Sequence, residues 1–123
     1  MANEITLSVY GNLSNGSIKD SQNLGNVSVT QAGKVVFQDV LPLTTSYAAI
    51  QKGSVGSLGT LFVTNVNATG TIQVSVDGGS TSLLTIPPGA TNCLSLTAAY
   101  TITNIQIKIT ASTGFAHYRI WEA

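Results

Sequence analysis

Apolar and polar residues alternate one by one in several separate stretches of this chain, and no other feature constrains its fold as strongly. The pattern is clearest over 71–76 and 105–110, where Ile or Val occupies every second position, and it recurs over 5–10 and 27–30. Successive side chains of a strand point to opposite faces, so each stretch predicts a strand with one face in a core. Other apolar runs predict further strands over 34–40, 43–51, 58–66, 81–86, 94–97 and 115–121.

Turn-forming sequences separate these predicted strands. The segment DGGS at 77–80 indicates a hairpin, because glycine adopts positive φ without a Cβ clash, and PPG at 87–89 ends a strand, since proline cannot donate to a ladder. Residues 12–25 are polar and contain Gly16 and Gly25, which predicts a long loop. The chain is therefore expected to be all-β, with residues 1–123 forming a single antiparallel β-sandwich domain of about 8–10 strands.

Charged residues make up only 8% of the 123 residues, and the formal net charge is +0. An average soluble domain has about 25% charged residues, so most of this surface must be hydroxyl and amide. Such a surface neither attracts polyanions nor repels its own copies, which favours an assembly protein and argues against a nucleic-acid partner. No stretch approaches the ~20 apolar residues of a membrane helix, so no membrane partner is expected.

The residue types that carry out catalysis and metal binding are few and scattered. The acidic residues occur singly along the chain: Glu4, Asp20, Asp39, Asp77 and Glu122. His117 is the only histidine, which excludes a multi-histidine metal site within one chain. A small hydrolase would need His117 beside an acid and a hydroxyl, but no G-x-S-x-G motif is present. We expect no enzyme activity, no catalytic residue, no cofactor and no metal.

The stretch 115–121 is the best candidate for an interaction surface. Alternation divides it between one face with Ala116, Tyr118 and Ile120 and another with Phe115, His117, Arg119 and Trp121. If the first face lies in the core, the second presents two aromatic rings, an imidazole and a guanidinium, which suits either a subunit interface or the stacking of a sugar ring. The structural alternative is that Trp121 caps an open end of the sandwich and Phe115 fills its core.

Tyr47 is a further candidate outside this stretch. It follows the apolar Leu43 in a predicted strand over 43–51. Two interpretations remain open, an ordinary half-buried aromatic of a strand and a contact residue of an interface.

Three segments, LTTSY at 43–47, LGTLFVTNV at 58–66 and IQVSV at 72–76, resemble small β-sandwich virion proteins of tailed bacteriophages. The segment LTIPPG at 84–89, followed by LSL at 94–96, fits the same pattern. In those proteins an Asn-rich corner separates two strands, and a proline-glycine step precedes a strand that leads to the last hairpin. The resemblance covers 43–109. It implies a jelly-roll-like fold and a role in capsid decoration (cement) or in the tail, with no catalytic residues to carry over.

Composition and resemblance together favour a non-enzymatic structural protein of the virion. The expectation is a decoration protein that binds the major capsid protein on the capsid exterior and stabilises the shell. Without a visible secretory signal, it is expected to be made in the cytoplasm of a bacterial host. Few lysines are available to protect the exposed strand edges, and a closed homo-oligomer would bury them. By analogy with such virion proteins, we expect this oligomer to be a trimer. The alternative is a carbohydrate-binding or receptor-binding module, such as a tail component, that uses Trp121, Tyr118 or Tyr47.

Overall fold

A computed structural model of the chain describes residues 3–15, 18–31, 35–96 and 100–123. The chain divides into two compact units, Met1–Ala32 and Gly33–Ala123. The first unit contains β1 (Asn3–Asn15) and β2 (Ile18–Gln31), which pair as an antiparallel hairpin.

This hairpin corrects the expectation of a long loop over 12–25. Residues 12–15 continue β1 and residues 18–25 belong to β2, whereas residues 16 and 17 lie outside the described residues. The hydrogen bonds between paired strands join backbone groups, and every residue except proline has both a backbone N–H donor and a C=O acceptor. A polar segment without alternating apolar residues can therefore still pair.

The second unit is a β-sandwich. Its strands are β3 (Val36–Leu43), β4 (Ala48–Ala49), β5 (Leu58–Asn65), β6 (Ile72–Ser75), β7 (Leu84–Ile86), β8 (Thr91–Ser95), β9 (Gln106–Ile109) and β10 (Gly114–Glu122). A short 3-10 turn, Ile102–Asn104, precedes β9. Within the described part of the chain, no helix is long and apolar enough to cross a membrane.

The two sheets have the strand orders β3-β10-β5-β8 and β4-β9-β6-β7, and every pair is antiparallel. The first strand of the sandwich, β3, pairs with its last, β10, and the second strand, β4, pairs with the last but one, β9. In the same way β5 pairs with β8, and β6 and β7 pair as the central hairpin. A ribbon of paired strands wound in this way is the jelly-roll arrangement. The predicted all-β antiparallel sandwich is confirmed.

The core of the sandwich is aliphatic and draws on both sheets. Its completely buried members include Leu61, Val63, Ile72, Val74, Ile107, Ile109 and Ile120. On β6 and β9 these are the positions that alternation assigned to the core. Burying each such side chain contributes about 1.5–3 kcal/mol to stability.

The hydroxyl of Tyr118, on β10, attaches the loop after β4 to this core. It accepts a hydrogen bond from the backbone N–H of Gln51 at 2.9 Å and donates one to the Gln51 carbonyl at 3.1 Å. Tyr118 is only 3% exposed, and burial raises the pKa of its hydroxyl. The ring also lies against Phe37, with the centroids 6.1 Å apart. The inner face of β10 is thus anchored to two neighbouring segments.

Candidate functional site

Strand β10 lies between β3 and β5 and presents alternate residues to the two faces of its sheet. Ala116, Tyr118 and Ile120 are buried. The remaining candidates, Phe115, His117, Arg119 and Trp121, lie on the outer face, where all but the half-buried Trp121 are exposed. The division of faces predicted from alternation is therefore confirmed.

An open groove of about 670 Å³ runs along this outer face. The strand register builds it, since Arg119 lies opposite Gln38 on β3 and opposite Phe62 on β5. His117 lies opposite Thr64 on β5. We define the groove by the residues that present functional groups to it, namely Gln38, Phe62, Thr64, His117, Arg119 and Trp121.

The rings of Phe62 and Trp121 form one wall of the groove. Their centroids are 4.7 Å apart and their planes meet at 54°, so the pair forms a corner rather than a flat surface. Trp121 on β10 thus packs against Phe62 on the neighbouring strand β5. Phe62 could not be identified from the sequence, because alternation assigns a residue to a face without identifying the strand beside it.

The guanidinium of Arg119 is held in place by a neutral partner. Its Nη2 donates a hydrogen bond to Oε1 of Gln38 at 2.7 Å, so the positive charge is oriented without being neutralised by that contact. Among the described residues, no hydrogen-bond partner is found for Nε2 of Gln38, for the ring of His117 or for Nε1 of Trp121. The groove therefore offers several free donors.

Asp39 is the only carboxylate among the described residues that line the groove. It lies opposite Tyr118 in the strand register rather than opposite Arg119. Its Oδ1 accepts the backbone N–H of Val40 at 2.8 Å. The carboxylate is thus engaged with its own strand.

Exposed apolar residues surround one end of the groove, where Phe115 lies opposite Pro42. Phe115 is 53% exposed, which overturns the alternative that it fills the core. Val40 and Val66 are exposed nearby; Val66 follows Asn65, the partner of Ala116 in the ladder. We call this set the apolar rim: Val40, Pro42, Val66 and Phe115.

Asn67 fixes the backbone of the apolar rim. Its Oδ1 accepts the N–H of Phe115 at 2.9 Å, and its Nδ2 donates to the Phe115 carbonyl at 2.8 Å. The same Nδ2 donates to Oδ1 of the buried Asn65 at 2.7 Å. The exposed phenyl ring is consequently carried on a hydrogen-bonded segment rather than on a free loop.

Tyr47 lies apart from the other candidates, directly before β4, which is a strand of the other sheet. Nζ of Lys108, on β9, is 4.4 Å from the centroid of its ring, within the range of a cation–π contact. The structure thus brings together the four candidates of β10 but does not place Tyr47 with them.

Comparison of the chain with protein-family models, with curated proteins and with solved structures finds no match. The resemblance to virion proteins consequently depends on the sequence segments alone. A function must otherwise be inferred from the fold, the composition and the residues on the outer face of β10.

Proposed function

We propose that this protein is a non-enzymatic structural protein of a bacteriophage virion. It would decorate the capsid, binding the major capsid protein on the outside of the shell and stabilising it. The observation that supports this most directly is a jelly-roll sandwich with only 8% charged residues. The segments of the resemblance also lie in this sandwich, with 58–65 forming β5 and 72–75 forming β6.

The apolar rim is the contact that we propose for the capsid protein. Its members Phe115, Val66 and Val40 are 53%, 51% and 45% exposed, and none of them carries charge. Contiguous exposed apolar residues commonly mark protein interaction sites, and aromatic residues at the centre of an interface provide much of its binding energy. Covering the phenyl ring of Phe115 would bury the largest of these side chains.

Several copies would act together in this mechanism. A homo-oligomer, which we propose to be a trimer, brings several rims to a symmetric position of the shell, and each further contact forms at high effective concentration. Because the contact is apolar, salt has little to screen. Binding is therefore expected to persist at high ionic strength.

Co-sedimentation with capsid shells tests the proposal. Shells assembled from the major capsid protein of the same genome are mixed with the purified chain and centrifuged through a density gradient. We expect the chain to move with the shells at both low and high salt. A chain that stays at the top of the gradient, or that salt removes from the shells, contradicts the proposal.

The variant Phe115→Ser identifies the contact. It should weaken shell binding at least about tenfold, because it removes the exposed aromatic ring of the apolar rim. Leu83→Ser is the matched control, since Leu83 is similarly exposed, at 50%. It lies away from the apolar rim, directly before β7, which is a strand of the other sheet. Equal losses in the two variants would show that the apolar rim is not the contact.

A further inference from the structure

Independently of a role in the virion, we propose that the groove binds saccharides that carry a carboxylate. Its chemistry combines an oriented cation, several free hydrogen-bond donors and an aromatic corner in one open channel. Each of these parts fits one part of an acidic sugar ring.

Arg119 would bind the carboxylate. Gln38 accepts from one nitrogen of the guanidinium, which leaves the other donors of the planar group to the groove. Two parallel N–H groups match the two oxygens of a carboxylate, and such bidentate pairs are among the strongest hydrogen bonds in proteins. The bond to Gln38 also holds the guanidinium in one orientation before a ligand arrives.

The free donors around Arg119 would bind the sugar hydroxyls and ring oxygen. They are Nε2 of Gln38, the ring N–H of His117 and Nε1 of Trp121, which have no partner among the described residues. Because this surface combines hydrogen-bond donors with a cation, it favours a ligand that is negatively charged and has many acceptor oxygens. The carboxylate of Asp39 keeps its charge, but Asp39 is the ladder partner of Tyr118 and therefore projects from the opposite face of the sheet to Arg119.

The Phe62–Trp121 corner would pack against the C–H face of the sugar. Aromatic faces are electron-rich and attract the slightly positive hydrogens of such a face. Because the two rings are tilted at 54°, only one ring at a time can lie parallel to a pyranose, which suits a single bound unit. The hydroxyl of Thr64 also lines the groove, and it is hydrogen-bonded to the hydroxyl of Thr91 at 2.8 Å.

The size and charge of the groove favour a saccharide over other anions. Its volume of about 670 Å³ lies within the range of about 300–1,000 Å³ that small-ligand sites occupy. A nucleic acid would require a row of cations for successive phosphates, whereas among the described residues Arg119 is the only Lys or Arg in the lining. The open shape allows a longer glycan to extend beyond the bound unit.

Calorimetric titration of the full chain tests this site. The probes are oligosaccharides of uronic acids and of sialic acids, each paired with its carboxyl-reduced neutral counterpart. At least one acidic probe should bind, its neutral counterpart should bind at least about tenfold more weakly, and added salt should reduce the affinity. No binding of any acidic probe at millimolar concentration overturns the proposal, as does equal binding of acidic and neutral probes.

Two variants localise the binding. Arg119→Gln should weaken the acidic probe at least about tenfold, whereas Lys108→Gln removes the same charge from the other sheet and should leave affinity unchanged. Equal losses in both variants would indicate general attraction to charge and overturn the site. If Arg119→Gln instead abolishes self-association in sedimentation, the groove is an interface between copies, which also overturns it. Circular dichroism checks that each variant is folded.

Discussion

At the scale of single residues, the corner between β5 and β6 depends on Asn65. Its completely buried Nδ2 donates to the carbonyls of Gly70 and Ile86, each at 2.9 Å, and its Oδ1 accepts the N–H of Asn67 at 3.1 Å. Asn65→Ala removes all these bonds and leaves buried backbone groups without partners. We predict a loss of about 2–3 kcal/mol in the free energy of unfolding, measured by urea denaturation.

The matched control is Asn92→Ala, on the exposed edge strand β8. Oδ1 of Asn92 accepts only the N–H of the next residue, Cys93, at 2.9 Å. Its loss should change the free energy of unfolding by less than about 0.5 kcal/mol. Similar losses in the two variants would contradict the importance of the buried corner.

At the scale of elements, Asp77 organises the turn of the β6–β7 hairpin. Its carboxylate accepts hydrogen bonds from the hydroxyls of Ser75 and Thr81, both at 2.6 Å, and from the N–H groups of Ser80 and Thr81. These bonds, that from Ser75 most strongly, hold the pKa of Asp77 well below its usual range. Gly78 and Gly79 supply the positive φ angles, 77° and 88°, that the turn requires.

The lowered pKa of Asp77 predicts a defined pH dependence. A carboxyl group whose pKa is lower in the folded state stabilises the protein above about pH 4, and this contribution is lost as the pH falls through the lowered value. Asp77→Asn should therefore be less stable than the parent chain at pH 7, with the difference shrinking in acid. Thermal unfolding between pH 2 and pH 7 measures it. A stability difference between the two chains that does not change with pH would contradict this prediction.

Alternation predicted those strands that have one face in the core. The buried apolar positions of β6, β9 and β10 are the predicted ones, whereas Ser75 of β6, which alternation assigned to the polar face, is also buried. A strand over 43–51 was wrong in extent, since β3 ends at Leu43 and β4 comprises only Ala48–Ala49, because an apolar run without alternation has no preferred period. The candidate site was predicted only in part. Gln38 and Arg119 are 81 residues apart, and no local pattern indicates that they meet.

At the scale of the whole molecule, the sandwich has its own core. Every described member of that core belongs to the unit Gly33–Ala123. We therefore predict that a chain of residues 33–123 folds without the first unit and unfolds in one cooperative thermal transition, monitored by circular dichroism. The parent chain is the reference. A truncated chain with no cooperative transition would show that the sandwich depends on residues 1–32.

The central position of β10 has a consequence for the kinetics of folding. Both of its partners come from much earlier in the sequence, and the Val35 N–H bonds to the carboxylate of Glu122 across 87 residues. Before residues 114–122 are synthesised, β3 and β5 expose unpaired edges, and closing such long loops costs entropy before any contact compensates it. The sandwich should therefore fold slowly and only after translation of β10, with a window in which the nascent chain needs protection from aggregation.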